Sequence, residues 1–398
     1  MARSLYPYAF LVDLIPLYPL YVLLFADSGL SAAQISTLLI IWSLTAFGLE
    51  IPTGVLADLV PRNRLLGAAP LLSAAGFALW TLFPAYPSFA AGFALWGTGE
   101  AVASGTRQAL VYDELERVGA GGSYARLIGR SRALGTTAVV AASAVAAPLL
   151  AHGGYTAVGI ASMAAALAAV PFGFSFPERA GDPDRSAADR SAAGRAADGP
   201  GAASPAGVLR TALSEVRRAP GARPALVAVA VLMGAGAMEE YLPVLARSFT
   251  GDTALVPLLL VPAFAAAAAG EWLAGRGTRH AAGLTAAGAV LLAVGALTGH
   301  PLGMLPVAAA FGVFAWAAVA AETRLQNAVS GGARATVLSM SGVGAEGVAI
   351  AVFAAYGLGS AAAGPGTLFA AASLAFLAVA PVLRRRTGSV RSARYWRG

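Results

Sequence analysis

Four stretches of the chain contain no Asp, Glu, Lys or Arg: residues 65–99, 133–177, 280–321 and 347–383. A helix that crosses the hydrocarbon of a bilayer needs about 20 apolar residues. Each window is about twice that length, so each reads as a helical hairpin. Residues that punctuate helices sit at the middle or end of every one: Pro84-Ala85-Tyr86-Pro87, His152-Gly153-Gly154, Gly299-His300-Pro301 and Gly364-Pro365-Gly366. Taken with the remaining apolar runs, they predict twelve spans, at 6–26, 33–57, 65–84, 88–111, 131–151, 154–175, 223–246, 254–275, 281–299, 302–322, 334–357 and 362–383. A soluble fold is excluded by the same pattern. Hydrophobic residues make up 58% and charged residues 12%, where a soluble domain carries about 25% charge. The runs lack the period-2 alternation of a membrane barrel. The fold class expected is all-α integral membrane.

Arginine sets the topology. All 27 basic residues are Arg, giving a net charge of +7. With the N-terminus in the cytosol, the inward segments hold Arg3, Arg62 and Arg64, then Arg117, Arg126, Arg130 and Arg132, then eight arginines between 179 and 223. Arg276, Arg279, Arg324 and Arg334 follow, with six more from Arg384 to Arg397. The outward loops hold Arg247 alone. The positive-inside rule therefore places both termini in the cytosol and explains the basic balance without nucleic acid. The first span begins almost at Met1 and carries Asp13, which argues against a cleaved signal. The domains expected are a six-helix bundle over 1–175, a cytosolic linker over 176–222 with a short amphipathic helix near 205–218, a second six-helix bundle over 223–383, and a basic tail over 384–398. The protein is expected in the cell inner membrane, multi-pass, with the lipid bilayer as its first partner and as a functional monomer.

Several chemistries lack their material. There is no cysteine and there are only 3 histidines, which leaves little for a metal centre. A Walker A loop needs a lysine, and the chain has none. No cofactor and no enzymatic activity are expected.

Charged residues at membrane depth are costly and mark sites. Asp13 lies in the first span. Glu100 is central in the fourth, and Arg107 follows seven residues later, nearly two helical turns along the same face. A buried carboxylate can take up and release a proton, so Asp13, Glu100 and Arg107 are the proton-coupling candidates. Structural pairing with Arg107 is the alternative for the two acids. Glu239, Glu240 and Tyr241 lie deep in the seventh span and Glu346 in the eleventh; these are the substrate-cavity candidates. Adjacent helical residues diverge by about 100°, so only one of Glu239 and Glu240 is expected to face the cavity. Tyr18, Trp42, Trp80, Trp96 and Trp316 are aromatics able to line it. Pro16, Pro19 and Pro243 are among the prolines able to bend helices.

The turn after the second span reads Glu50-Ile51-Pro52-Thr53-Gly54-Val55-Leu56-Ala57-Asp58-Leu59-Val60-Pro61-Arg62-Asn63-Arg64. Gly54 permits close helix approach. Asp58 can accept hydrogen bonds or sit at a helix N-terminus. Arg62 and Arg64 can pair across to the other half or anchor at lipid phosphate. The stretch resembles the loop 2–3 signature of the major facilitator superfamily, G-x-x-x-D-R/K-x-G-R/K-R/K. Gly54, Asp58 and Arg62 match it; Leu59, Pro61 and Asn63 depart from it. Gly99 to Leu115 with Arg126 to Arg130, and Asn327 with Arg334 to Ser339, resemble a bacterial branch of the same superfamily. Arg130 and Arg334 then stand near inner helix ends, within reach of acids such as Asp58 or Asp113. Gly54, Asp58, Arg62, Arg64, Asp113, Arg130 and Arg334 are the cytosolic gate candidates. The second copy of the signature, Gly270 to Gly277, has Gly275 where the acid belongs.

The resemblance implies a twelve-helix fold of two pseudo-symmetric six-helix bundles that rock around one central site by alternating access, driven by an ion gradient. The membrane acids and apolar composition favour proton-coupled antiport, with efflux of a small hydrophobic or cationic compound, as in a drug or metabolite efflux branch. Proton-coupled symport of a sugar or other metabolite is the alternative. A non-transporting sensor or assembly protein on the same scaffold is the third reading.

Overall fold

The charge-free windows fold as helices, and no strand occurs among the described residues. The computed structural model describes residues 1–120, 123–177, 216, 221–329 and 334–384. Within those helices, the side chains at 50, 51, 54, 55, 57, 58, 125 and 334–336 are outside the described ones. The expected linker, its amphipathic helix and the basic tail fall almost wholly outside the described residues.

The first half contains α1 (Ala2–Asp13), α2 (Tyr21–Asp27), α3 (Ala32–Leu59), α4 (Arg62–Leu82), α5 (Tyr86–Arg117) and α6 (Tyr124–Phe174). The second contains α7 (Ala222–Ala235), α8 (Leu242–Ser248), α9 (Val256–Leu273), α10 (Ala281–Leu297), α11 (Met304–Ala328), α12 (Arg334–Gly359) and α13 (Pro365–Val379). Local chemistry explains several boundaries. Ser31 and Gln34 form a reciprocal capping box that starts α3. At 51 residues, α6 would be about 75 Å long if straight, far beyond one crossing. It folds back at Gly154, whose φ of 61° and ψ of −165° are open only to a residue without Cβ.

Nine helical stretches among the described residues are long and apolar enough to cross a membrane. They differ from the twelve expected spans for physical reasons. The reversal at Gly154 leaves two limbs inside one stretch. The charges of Glu100, Arg107 and Asp113 interrupt the apolar run of α5. The expected span 6–26 is not one helix: α1 stops at Asp13, and Pro16 and Pro19 hold residues 14–20 out of a continuous helix. One backbone group freed by that break, the Leu17 N–H, donates to Ser162 Oγ on α6 at 2.9 Å. The expected span 223–246 is broken likewise. It passes through a 3-10 turn at Gly236–Tyr241 before α8 begins with Pro243 in its first turn.

Packing repeats between the halves. The pairs α3/α5, α4/α5, α4/α6 and α1/α6 recur as α9/α11, α10/α11, α10/α13 and α7/α12. Small residues let backbones touch in both: a Cβ at Gly76 would lie 2.7 Å from the Gly92 carbonyl, and one at Gly312 would lie 2.7 Å from the Ala266 carbonyl. The halves meet through α3/α12 and α6/α9. Leu44, Leu71, Ile160, Leu167, Val290, Leu358 and Leu374 are exposed, as a lipid-facing surface requires. The protein is an all-α, multi-spanning membrane protein.

Candidate functional site

The two helix breaks face each other across the interface between the halves. The first presents Tyr18 and Tyr21, the second Glu239 and Glu240. Tyr18 O–H donates to Glu239 Oε1 at 3.4 Å, and Tyr21 O–H donates to Glu240 Oε2. Both acids line a cavity of about 280 Å³, together with Trp42 and Ser43 from α3 and Glu346 and Phe353 from α12. Ser43 O–H donates to Glu346 Oε1 across the same interface. The expectation that only one of Glu239 and Glu240 reaches the cavity is corrected. They lie in a 3-10 turn, where neighbours diverge by about 120°, and each reaches its own tyrosine.

Tyr241 stands elsewhere. It is 1% exposed, stacks on Tyr356 at 3.6 Å, and its hydroxyl lies 2.6 Å from Ser36 Oγ. It fastens the seventh-span region to α12 and α3 and does not line the cavity. The other aromatics divide the same way. Trp42 stacks on Trp96 at 5.8 Å, and Tyr18 meets Trp96 edge-on at 6.5 Å. Trp80 is wholly buried, with its indole N–H on the Phe89 carbonyl at 3.0 Å. Trp316 donates to the Arg276 carbonyl at 3.0 Å. These last two hold helices together.

Asp13 ends α1 and packs over Gly135 of α6, where a Cβ would overlap its carboxylate. The charge of Arg107 acts on Asp13 and Tyr8. Glu100 instead feels Asp13 and accepts from the Trp42 indole N–H at 3.2 Å. Arg107 forms an ion pair with neither acid among the described residues. Glu100 is exposed and is not among the residues lining the cavity.

The ends of the bundle differ. At one end the Arg247 guanidinium pairs with Asp27 Oδ1 across the halves, and Tyr155 O–H donates to Asp27 Oδ2 at 2.6 Å. The sequence singled out Arg247 only as the one outward arginine; its proximity to Asp27 is tertiary. At the opposite end Arg62 pairs with Asp113 at 2.5 Å, within one half. Arg64 and Arg130 are exposed there. Asp113 thus has Arg62 as its ion-pair partner among the described residues. The side chains of Gly54, Asp58 and Arg334 are outside the described ones. The corresponding corner of the second half inverts the polarity. Gly275 supplies no acid, and Arg324 on α11 instead donates to the Thr278 and Leu383 carbonyls, each at 2.8 Å. Among the described residues, no group of side chains has metal-ligand chemistry.

Comparison with known proteins places this architecture. No curated protein matches the sequence. Solved structures do. The nucleoside transporter NupG superposes with a TM-score of 0.73 at 14% identity, covering 96% of this chain and 98% of that one. The POT family transporter PepTSo gives 0.68 at 10%, covering 96% and 97%. A peptide transporter POT in complex with sulfate gives 0.64 at 15%, covering 96% and 93%. At such identities the likeness is one of fold. The family model described as the Major Facilitator Superfamily matches residues 8–365. Matched over that length, this multi-pass integral membrane protein belongs to the Major Facilitator Superfamily.

Proposed function

We propose that the protein is a secondary active transporter working by alternating access, and that it takes up a small polar metabolite by proton-coupled symport. The observation that carries this reading is the cavity at the seam of the halves. Its polar walls belong to both halves and are joined by side-chain bonds that must break if the halves part. Among the described residues, the cross-half side-chain bonds lie at the cavity or toward the Asp27 end. The resting form is accordingly closed at that end.

Recurrence of the helix pairs supports twelve crossings in two six-helix bundles, 1–175 and 223–383, joined by a cytosolic linker over 176–222. The arginine distribution supports cytosolic termini and puts the Asp27 end outside. Protons are the coupling ion in this reading, with Asp13, Arg107 and Glu100 as the coupling group. Arg62, Arg64, Asp113 and Arg130, with Gly54, Asp58 and Arg334, form the cytosolic gate. The carrier works as a monomer in the inner membrane.

The expectation of efflux by antiport of a hydrophobic or cationic compound is corrected. Solved structures alike over 96% of the chain include transporters of nucleosides and of peptides, which fits metabolite uptake better than a drug-efflux branch. Three carboxylates, Glu239, Glu240 and Glu346, stand in an otherwise mostly apolar lining, and those three are costly to cover with an apolar cargo.

The test is accumulation in proteoliposomes under an inside-alkaline gradient, using radiolabelled uridine, glucose and dialanine. At least one should concentrate above equilibrium and leak back when the gradient is collapsed. Equilibration unaffected by the gradient, or extrusion, would overturn symport.

A further inference from the structure

The cavity is unbalanced in its hydrogen-bonding chemistry. Its protein donors are already engaged. Tyr18, Tyr21 and Ser43 donate to Glu239, Glu240 and Glu346, and the Trp42 indole donates to Glu100. Acceptors remain. A carboxylate offers about four lone-pair sites. The second oxygens of Glu239 and Glu240 receive no protein donor among the described residues, although both side chains line the cavity. No arginine or histidine stands among the lining residues, and the charge of Arg107 acts on Asp13 and Tyr8. The charged neighbours acting on Glu239 and Glu240 are acids as well: Glu271 on Glu239, and Glu239 and Glu100 on Glu240.

Two further features are independent of the acids. The volume, about 280 Å³, is at the lower limit of small-molecule pockets and suits one or two rings. An aromatic wall is built from Trp42 stacked on Trp96, and Trp42 itself lines the space. An aromatic face offers a platform to the flat side of a ring.

We propose that the cavity selects cargo by charge and donor count: it takes a small ring-bearing metabolite that presents several hydrogen-bond donors and no negative charge, and it rejects anionic analogues of the same skeleton. This rests on the reading that the cavity is the cargo site. An anion would place like charges together out of water, with no donor free to receive it. A hydroxyl- or amine-bearing ring meets open carboxylate oxygens instead.

The test is a matched charge series on the purified full-length protein in nanodiscs, by thermal shift and equilibrium binding. Uridine is compared with uridine monophosphate, and glucose with glucosamine and glucuronate. At least one neutral or amine member should bind, with its anionic partner weaker by roughly a hundredfold or more. If glucosamine exceeds glucose, the carboxylates act as charges; if the two are equal, they act as acceptors; both fit. Where glucosamine exceeds glucose, Glu240→Gln should shrink that advantage by about tenfold, and the wild-type series stands alone if that variant does not fold. An anionic member that binds as tightly as its neutral partner overturns the proposal. So does a flat response, including none from any member. Binding without gradient-driven uptake counts against the transport reading and leaves the selectivity standing. Uptake of an anionic member does the reverse.

Discussion

Removing one hydroxyl, in Tyr21→Phe, takes away the donor that Glu240 accepts across the interface and leaves the aromatic packing on Trp80 and Phe93 in place. A hydrogen bond to a charged group contributes about 1.5–3 kcal/mol, and each 1.4 kcal/mol is about tenfold in an equilibrium. The variant should therefore raise the population open at the Asp27 end by about tenfold or more. The readout is the rate at which an impermeant maleimide reaches Ala237→Cys, a cavity position, from outside. The native chain has no cysteine, so labelling has no background. An unchanged rate would show that the Tyr21–Glu240 contact does not restrain opening. Residue identity alone flagged the acids, because charge inside an apolar run is visible in one dimension. Their partners Tyr18, Tyr21 and Ser43, and Ser36 as the partner of Tyr241, were not legible as partners. A tyrosine or serine in a span is common, and what makes these four matter is the residue opposite, over 200 positions away in three cases and over 300 in the fourth.

At the scale of elements, the reversal in α6 depends on one glycine. A side chain at Gly154 forces a region of backbone space costing about 1–3 kcal/mol. Gly154→Ala should lower the unfolding midpoint in detergent by several degrees. Gly129→Ala, in the same helix with open space around its Cβ position, should be neutral or mildly stabilising. Equal effects from both would remove the conformational argument. The helical hairpins and the turn at Gly153-Gly154 were readable, because length against bilayer thickness and the absence of Cβ are local facts. The helix breaks at 14–20 and 236–241 were only half readable. Proline signals that a bend is possible. Whether the freed backbone groups find partners, as Leu17 finds Ser162, depends on a neighbouring helix.

Across the whole molecule, alternating access requires that opening one end closes the other. Asp27→Asn weakens the Arg247 pair. Its members are 33% and 39% exposed, so solvent screens it and it contributes at most about 1 kcal/mol. Opening at that end should rise up to about fivefold, and high salt should mimic the substitution in the native protein. Spin-label distances report it: a pair at Ser28→Cys and Gly251→Cys should lengthen while a pair at Val118→Cys and Thr323→Cys shortens. Movement at one end alone would argue against two rocking bodies.

The sequence by itself determined that the chain crosses lipid repeatedly as apolar helices, which face leans toward the arginines, and which acids sit at costly depth. These follow from transfer free energy and charge counted along one dimension. Only the tertiary structure decided that Glu239 and Glu240 both reach one cavity, that Tyr241 is packing, and that Asp27 meets Arg247. Each depends on how segments distant in the chain are set against each other, which no local pattern encodes.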